Sequence, residues 1–282
     1  MTEWVPASVR LMGASVPAPY DGVPNHLWPL LRHWLIAAYA TQDEPALRRI
    51  ALKLRVPLSD SALRSTHLLF TEDRPLSRAL IDGCYGAATR LDAVDYALRS
   101  FDEWMADPWE EAQLSTDLAR LLQDSGSAYA IGPDGRSLVV RTDPTAHAAA
   151  AAAVAAADPA AHELAQAWVS AFGRNPNAEQ AWRHAIRAVE ELLVPIIEPR
   201  NTKATLGSAL ASLKRSPERW NIEHPNITVN TLTVLLGSVW PDPKRHGGDP
   251  TQQPATDKDA AAAVYAAVTA TSWLRDGLLK RA

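Results

Sequence analysis

The chain has 282 residues, 47% hydrophobic and 21% charged, enough for two modest domains with real cores. A net charge of −4 excludes a global electrostatic pull toward nucleic acid, so any such contact must be a local patch. The single cysteine, Cys84, excludes a disulfide within the chain and any cysteine-based metal site, which fits a reducing compartment.

Residues 1–24 read as an irregular arm broken by Pro6, Pro17, Pro19 and Pro24, without the charged and apolar blocks of a signal peptide. Residues 25–142 read as a helical domain. Asn25 is placed to cap a helix carrying Leu31, Trp34, Leu35 and Ala38, with Pro29 tolerated in its first turn. Asp43 opens a second helix with Leu47, Ile50 and Leu54 inward and Arg48, Arg49, Lys53 and Arg55 outward. That basic group reads as a solvated helix face, with nucleic-acid contact as the alternative. Pro75 to Phe101 is one helix or two, broken near Gly83 and Gly86. Asp107-Pro108 caps the next, whose apolar side is Leu114, Leu118, Leu121 and Leu122.

The one convincing β signal follows: a hairpin over residues 127–141 turning at Gly132-Pro133-Asp134-Gly135. It is either the wing of a winged helix or a cover over a helical core. Residues 143–157, capped by Asp143 and rich in alanine, form a helical connector, and their alanine run is too weakly hydrophobic to span a bilayer. The protein therefore reads as soluble and cytoplasmic, without membrane contact.

Residues 158–282 read as a helical bundle. Asp158-Pro159 starts a helix with the stripe Leu164, Trp168 and Phe172, ended by Gly173. Asn177 caps the next, with Trp182, Ile186, Val189 and Leu193 on one face, and Pro195 ends or kinks it. Thr205 starts a third helix that stops before Pro217. Ile227 to Trp240 is rich in Thr and Val, yet its length and the Leu232, Leu235, Leu236 and Val239 pattern favour a buried helix. Thr256, with Asp259 as capping-box partner, opens the last helix, which runs towards Lys280 and Arg281 as cations at its C-terminus. The fold class is thus all-α: a C-terminal helical bundle and an N-terminal helical domain with one β-hairpin.

Several stretches carry a resemblance: Gly173-Arg174-Asn175-Pro176-Asn177, Ala185 to Glu190, Lys203-Ala204-Thr205-Leu206-Gly207, and Arg245-His246-Gly247 before an alanine-rich final helix. Together they resemble the C-terminal domain of abortive-infection proteins, a group within the HEPN superfamily of helical bundles. The resemblance covers roughly the last two-fifths of the chain. It implies an RNA-cutting toxin or phage-defence role and two-fold pairing of the bundles. Active members of that superfamily place an Arg before the His with four to six residues between them. Those positions here hold Pro241, Trp240 and Val239, which is a departure from the pattern.

Metal-independent cleavage of RNA needs a base for the 2′-hydroxyl proton and a cation for the charged phosphate in the transition state. The loop from Trp240 to Gly248 offers His246 as the base, with Arg245 and Lys244 as the cations. Arg187 and Glu190 on the second helix of the bundle, with Arg200, Asn201 and Lys203 in the loop after it, are the supporting substrate contacts. Glu190 is equally able to pair with Arg187 or Arg183 on its own helix. No phosphate-binding glycine loop, HExxH or CxxC occurs, so no cofactor and no metal is expected.

Two functions stand side by side: an abortive-infection or toxin-type ribonuclease, and a non-catalytic module of the same fold that binds RNA or a protein partner as regulator or immunity factor. A homodimer would bring a second His246 and Arg245 to one cleft and bury Val239 and Trp240, which look left over beside the loop.

Overall fold

The computed structural model describes residues 19–64, 75–240 and 255–282, and they fold mainly as helices. Two compact units divide the chain, one up to Ala130 and one from Ile131 onward.

The first unit holds α1 (Trp28–Ala38), α2 (Glu44–Lys53), α3 (Asp60–Arg64), α4 (Pro75–Asp82), α5 (Ala87–Trp104) and α6 (Pro108–Asp124). Asp43 and Asp107 cap α2 and α6 as expected, accepting from the amides of Ala46 and Trp109. Asn25 does not cap α1. The amides of Leu27 and Trp28 donate instead to the carbonyl of Pro24, so a backbone turn starts that helix. The break between α4 and α5 falls over residues 83–86. Gly86 has φ 88°, and a Cβ on Gly83 would lie 2.5 Å from the Val56 side chain.

Leu31, Leu35, Leu98, Phe101 and Leu118 fill this core. Two buried polar rings among the described residues reach backbone carbonyls: Trp34 Nε1 donates to Leu114 (2.8 Å) and the Tyr39 hydroxyl to Ala93 (2.9 Å). Burial pushes the Cys84 thiol up to about 11, which leaves it a packed, unreactive group.

The expected hairpin is present as β1 (Tyr129–Ile131) and β2 (Leu138–Val140), and the division between the units falls within β1. The second unit continues with α7 (Pro144–Val154), α8 (Pro159–Phe172), α9 (Ala178–Ile197), α10 (Leu206–Arg215), β3 (Trp220–Ile222), α11 (Val229–Val239), α12 (Asp257–Arg275) and β4 (Leu279–Arg281). Each helix start has a side-chain cap: Asp143, Asp158, Asn177, Thr205, Thr228 and Thr256. The segment 227–240 is a helix. α9 lies against α8 and α12 over most of its length, around Leu164, Trp168, Val189, Leu193, Leu236 and Val264.

The alanine-rich α7 packs on α8 and α12 within the second unit, with Ala150 and Ala153 buried. Of the two alternatives at Pro195, the helix does not end there, since α9 runs on to Ile197.

The final helix stops earlier than expected. Gly277, at φ 67°, closes a Schellman turn at residue 275 in which Leu278 N–H donates to Trp273 O and Gly277 N–H to Leu274 O. Residues 279–281 then form β4, antiparallel to β3, pairing Trp220 with Arg281 and Ile222 with Leu279. The hairpin is therefore not the chain's one sheet, and Lys280 and Arg281 are strand residues. No described helix is long and apolar enough to cross a membrane.

Candidate functional site

Lys244, Arg245 and His246 lie outside the described residues, so the site is read from the residues that flank them. Trp240 is the last described residue before the segment, and the chain resumes at Ala255. The end of α11 is fixed in two ways. Trp182 Nε1 on α9 donates to the Val239 carbonyl at 2.6 Å, and the Trp240 ring lies on α10 at Gly207. A Cβ at Gly207 would sit 2.6 Å from the Trp240 ring.

Gly207→Val should therefore lift Trp240 off α10 and lower stability by about 1–3 kcal/mol, the usual range for overpacking. Urea denaturation with tryptophan emission reads both effects. An unshifted midpoint would mean the ring has another resting place. Val239 is itself wholly buried. The expectation that Val239 waits for a dimer partner to bury it is thus corrected, while Trp240 is half-buried against its own chain.

The supporting residues gather at the start of α10. Glu190 on α9 accepts from the Leu206 amide at 2.7 Å, and Thr205 and Ser208 complete a capping box. A carboxylate at that end is favoured by the exposed N–H groups and by the helix dipole. The expected pairing of Glu190 along its own helix does not occur: Arg183 pairs with Glu179 at 2.9 Å, and Arg187 is exposed.

Asn201 donates to Glu198 (2.6 Å) and accepts from the Lys203 amide (3.1 Å), which shapes the connection from α9 to α10. Glu198 also accepts from Ser212 and Ser208, and these hydrogen bonds, led by Ser212, hold its pKa below the usual carboxylate value. Arg200 and Lys203 point to solvent. Glu190, Asn201 and Lys203 are thus drawn to one helix end, against which Trp240 also rests. Glu190 and Asn201 act there as structural acceptors.

The basic face of α2 is partly spent inside its own unit. Arg48 binds Glu44 one turn earlier, and Lys53 lies over Tyr96 with its ammonium 3.1 Å from the hydroxyl. His147 is half-buried against the edge of Trp168, and burial lowers its pKa. His184 meets Glu163 at 2.6 Å and ties α9 to α8. Among the described residues no group of three His, Cys, Asp or Glu side chains is placed to hold a metal ion.

Sequence reasoning missed a cleft of about 350 Å³ lined by Ile197, Ser212, Arg215, Ser216, Arg219, Trp220 and Arg281. Its arginines come from three stretches that meet only because β4 pairs with β3, so no local pattern marks them. Comparison with protein-family models, curated proteins and solved structures finds no match to this chain.

Proposed function

We propose that the chain is an abortive-infection-type protein that acts on RNA in the cytoplasm, and that residues 244–246 of its second unit carry the chemistry. His246 takes the 2′-hydroxyl proton, while Arg245 and Lys244 hold the charge that builds on the phosphate. A homodimer supplies the proton donor for the departing 5′-oxygen from the second His246. One observation supports this reading most: the chain is pinned immediately before the segment, at Trp240, beside the helix end that carries the exposed cations Arg200 and Lys203. Catalytic groups need such rigid flanks, since loose positioning forfeits much of the rate.

The test is induction in cells, with RNA integrity followed beside growth, and cleavage by the purified chain in the presence of a chelator. The wild type should arrest growth and cut RNA. His246→Ala should lower the cleavage rate by about 10²–10⁴, the usual contribution of a positioned acid–base group, and leave the oligomeric mass unchanged. A second reading, a non-catalytic module binding RNA or a protein partner, is favoured by the commitment of Glu190 to the Leu206 amide. Growth arrest that survives His246→Ala without RNA cleavage would select it.

A further inference from the structure

The cleft below the C-terminal end of α10 has the makings of a second anion site, at the opposite end of that helix from Glu190. Arg215 lies in the last turn of α10, Arg219 ends the short 3-10 turn Pro217–Arg219, and Arg281 sits on β4 directly across from Trp220 on β3. Directly paired residues of neighbouring strands project to the same face, so Arg281 and Trp220 share one side of the ribbon. Backbone contacts hold these pieces: Ala282 N–H donates to Arg219 O at 2.8 Å, and Ile222 and Leu279 are buried beneath the ribbon.

A lone arginine at the end of α10 would need no explanation, because a cation there complements the helix dipole. That reason does not reach Arg219 or Arg281. Among the described residues, none of the three guanidinium groups has an ion-pair partner. Among the neighbouring acids, Glu198 feels the Arg215 charge without an ion-pair contact and is held by Ser212, Ser208 and Asn201, Glu223 pairs with Lys280 at 2.6 Å, and Glu218 is exposed. Three like charges around one small volume repel each other unless an anion sits between them. Guanidinium groups match the oxygens of a phosphate in paired, charge-assisted hydrogen bonds. Beside them the half-buried Trp220 offers an aromatic surface, the partner a nucleobase stacks on.

The geometry points to a nucleotide-binding site here, with a phosphate among Arg215, Arg219 and Arg281 and a base against Trp220. None of its lining residues belongs to 244–246, and it does not depend on the chemistry proposed for them. The volume matches the small end of ligand pockets, so the cleft takes about one nucleotide unit, either free or within a single strand of RNA.

The test titrates AMP, ATP, inorganic phosphate and a labelled ten-nucleotide single-stranded RNA into the intact protein. The variants are Arg215→Gln, Arg219→Gln, Arg281→Gln, Trp220→Phe and His246→Ala. All three arginines are exposed, so the Gln variants should keep the wild-type melting curve. Each should weaken AMP binding about tenfold, the worth of one charge-assisted contact, and the triple Gln variant should abolish it. Inorganic phosphate should bind more weakly than AMP, and His246→Ala should leave AMP binding as it is in the wild type.

Saturation by AMP assigns the site to free nucleotide. RNA binding without AMP binding assigns it to the strand, with a salt dependence that flattens in the triple variant. No binding of either, or binding undiminished in the triple Gln variant, overturns the proposal. Equal affinity for phosphate and AMP removes the role of Trp220. Loss of RNA cleavage in His246→Ala with nucleotide binding intact keeps the two sites distinct.

Discussion

Trp168→Ala should destabilise the second unit by about 3–5 kcal/mol, the range for removing a large aromatic ring from a packed core. Trp168 is 1% exposed and lies among Phe172, Tyr265 and His147, with ring centroids 4.6, 5.8 and 6.1 Å away. Little can collapse into the space it leaves, because much of the surrounding core is alanine.

Trp168→Phe should behave quite differently. The indole Nε1–H is buried without a hydrogen-bond partner among the described residues, and such an unmade donor costs about 1–3 kcal/mol. Phenylalanine removes that cost while keeping part of the ring volume, so the loss should be far smaller than for alanine. Urea titrations at constant m report both values. Equal losses for the two variants would mean that the indole nitrogen is satisfied in solution.

The second large effect concerns Asp158 and Arg275. The guanidinium donates twice to Asp158, at 2.7 and 3.0 Å, and once to the Ala153 carbonyl at 2.8 Å. It thereby joins the turn between α7 and α8 to the last turn of α12. Asp158 has a second task, accepting from the Ala161 amide as the cap of α8. Removing Asp158 deletes a cap worth about 1 kcal/mol and leaves a partly buried arginine unpaired. Asp158→Ala should thus cost about 2–3 kcal/mol, and Arg275→Ala less, because the cap survives.

The same pair gives a pH dependence. The Arg275 hydrogen bonds, followed by those from backbone amides, hold the Asp158 pKa below its ordinary value. The stabilisation is fully present above the unfolded-state carboxylate value of about 3.9 and is lost as pH falls through the lower folded-state value. Wild type and Asp158→Asn should therefore differ in melting temperature at pH 7, and the difference should begin to shrink only below about pH 4 and close below the folded-state value. Asparagine keeps the cap, so a difference that persists undiminished below the folded-state value would show that the ion pair does not carry the effect.

Local chemistry was what the sequence made legible. Asp43, Asp107, Asp143, Asp158, Asn177, Thr205 and Thr256 announce their helices because a cap and its amide lie two or three residues apart. The break at Gly83 and Gly86 and the turn at Gly132 to Gly135 are local in the same sense. What escaped was set by distant partners. Residues 279–281 carry no alternation that marks a strand; they become one because residues 220–222 lie alongside.

The candidate residues divide along the same line. Nothing near Glu190 in the chain shows that it will hold the Leu206 amide, since the helix end it serves begins 16 residues later. Gly207 gives no hint that it makes room for the Trp240 ring. The arginine cleft draws on residues 215 to 281, and only the folded ribbon gathers them.

The alanine content of the second unit has a consequence for which substitutions it will accept. Ala150 and Ala153 of α7, and Ala260, Ala263, Ala267 and Ala270 of α12, are buried, whereas Ala148, Ala149 and Ala152 are exposed. Alanine has no rotamers to freeze, so ordering these helices costs backbone entropy almost alone. It also leaves no slack on the buried side. A larger residue there overpacks, and glycine gives up about 1 kcal/mol of helix propensity. Saturation mutagenesis of α7 should therefore show a sharp two-sided profile: residues 148, 149 and 152 accept most helix-forming side chains, while 150 and 153 accept alanine and little else.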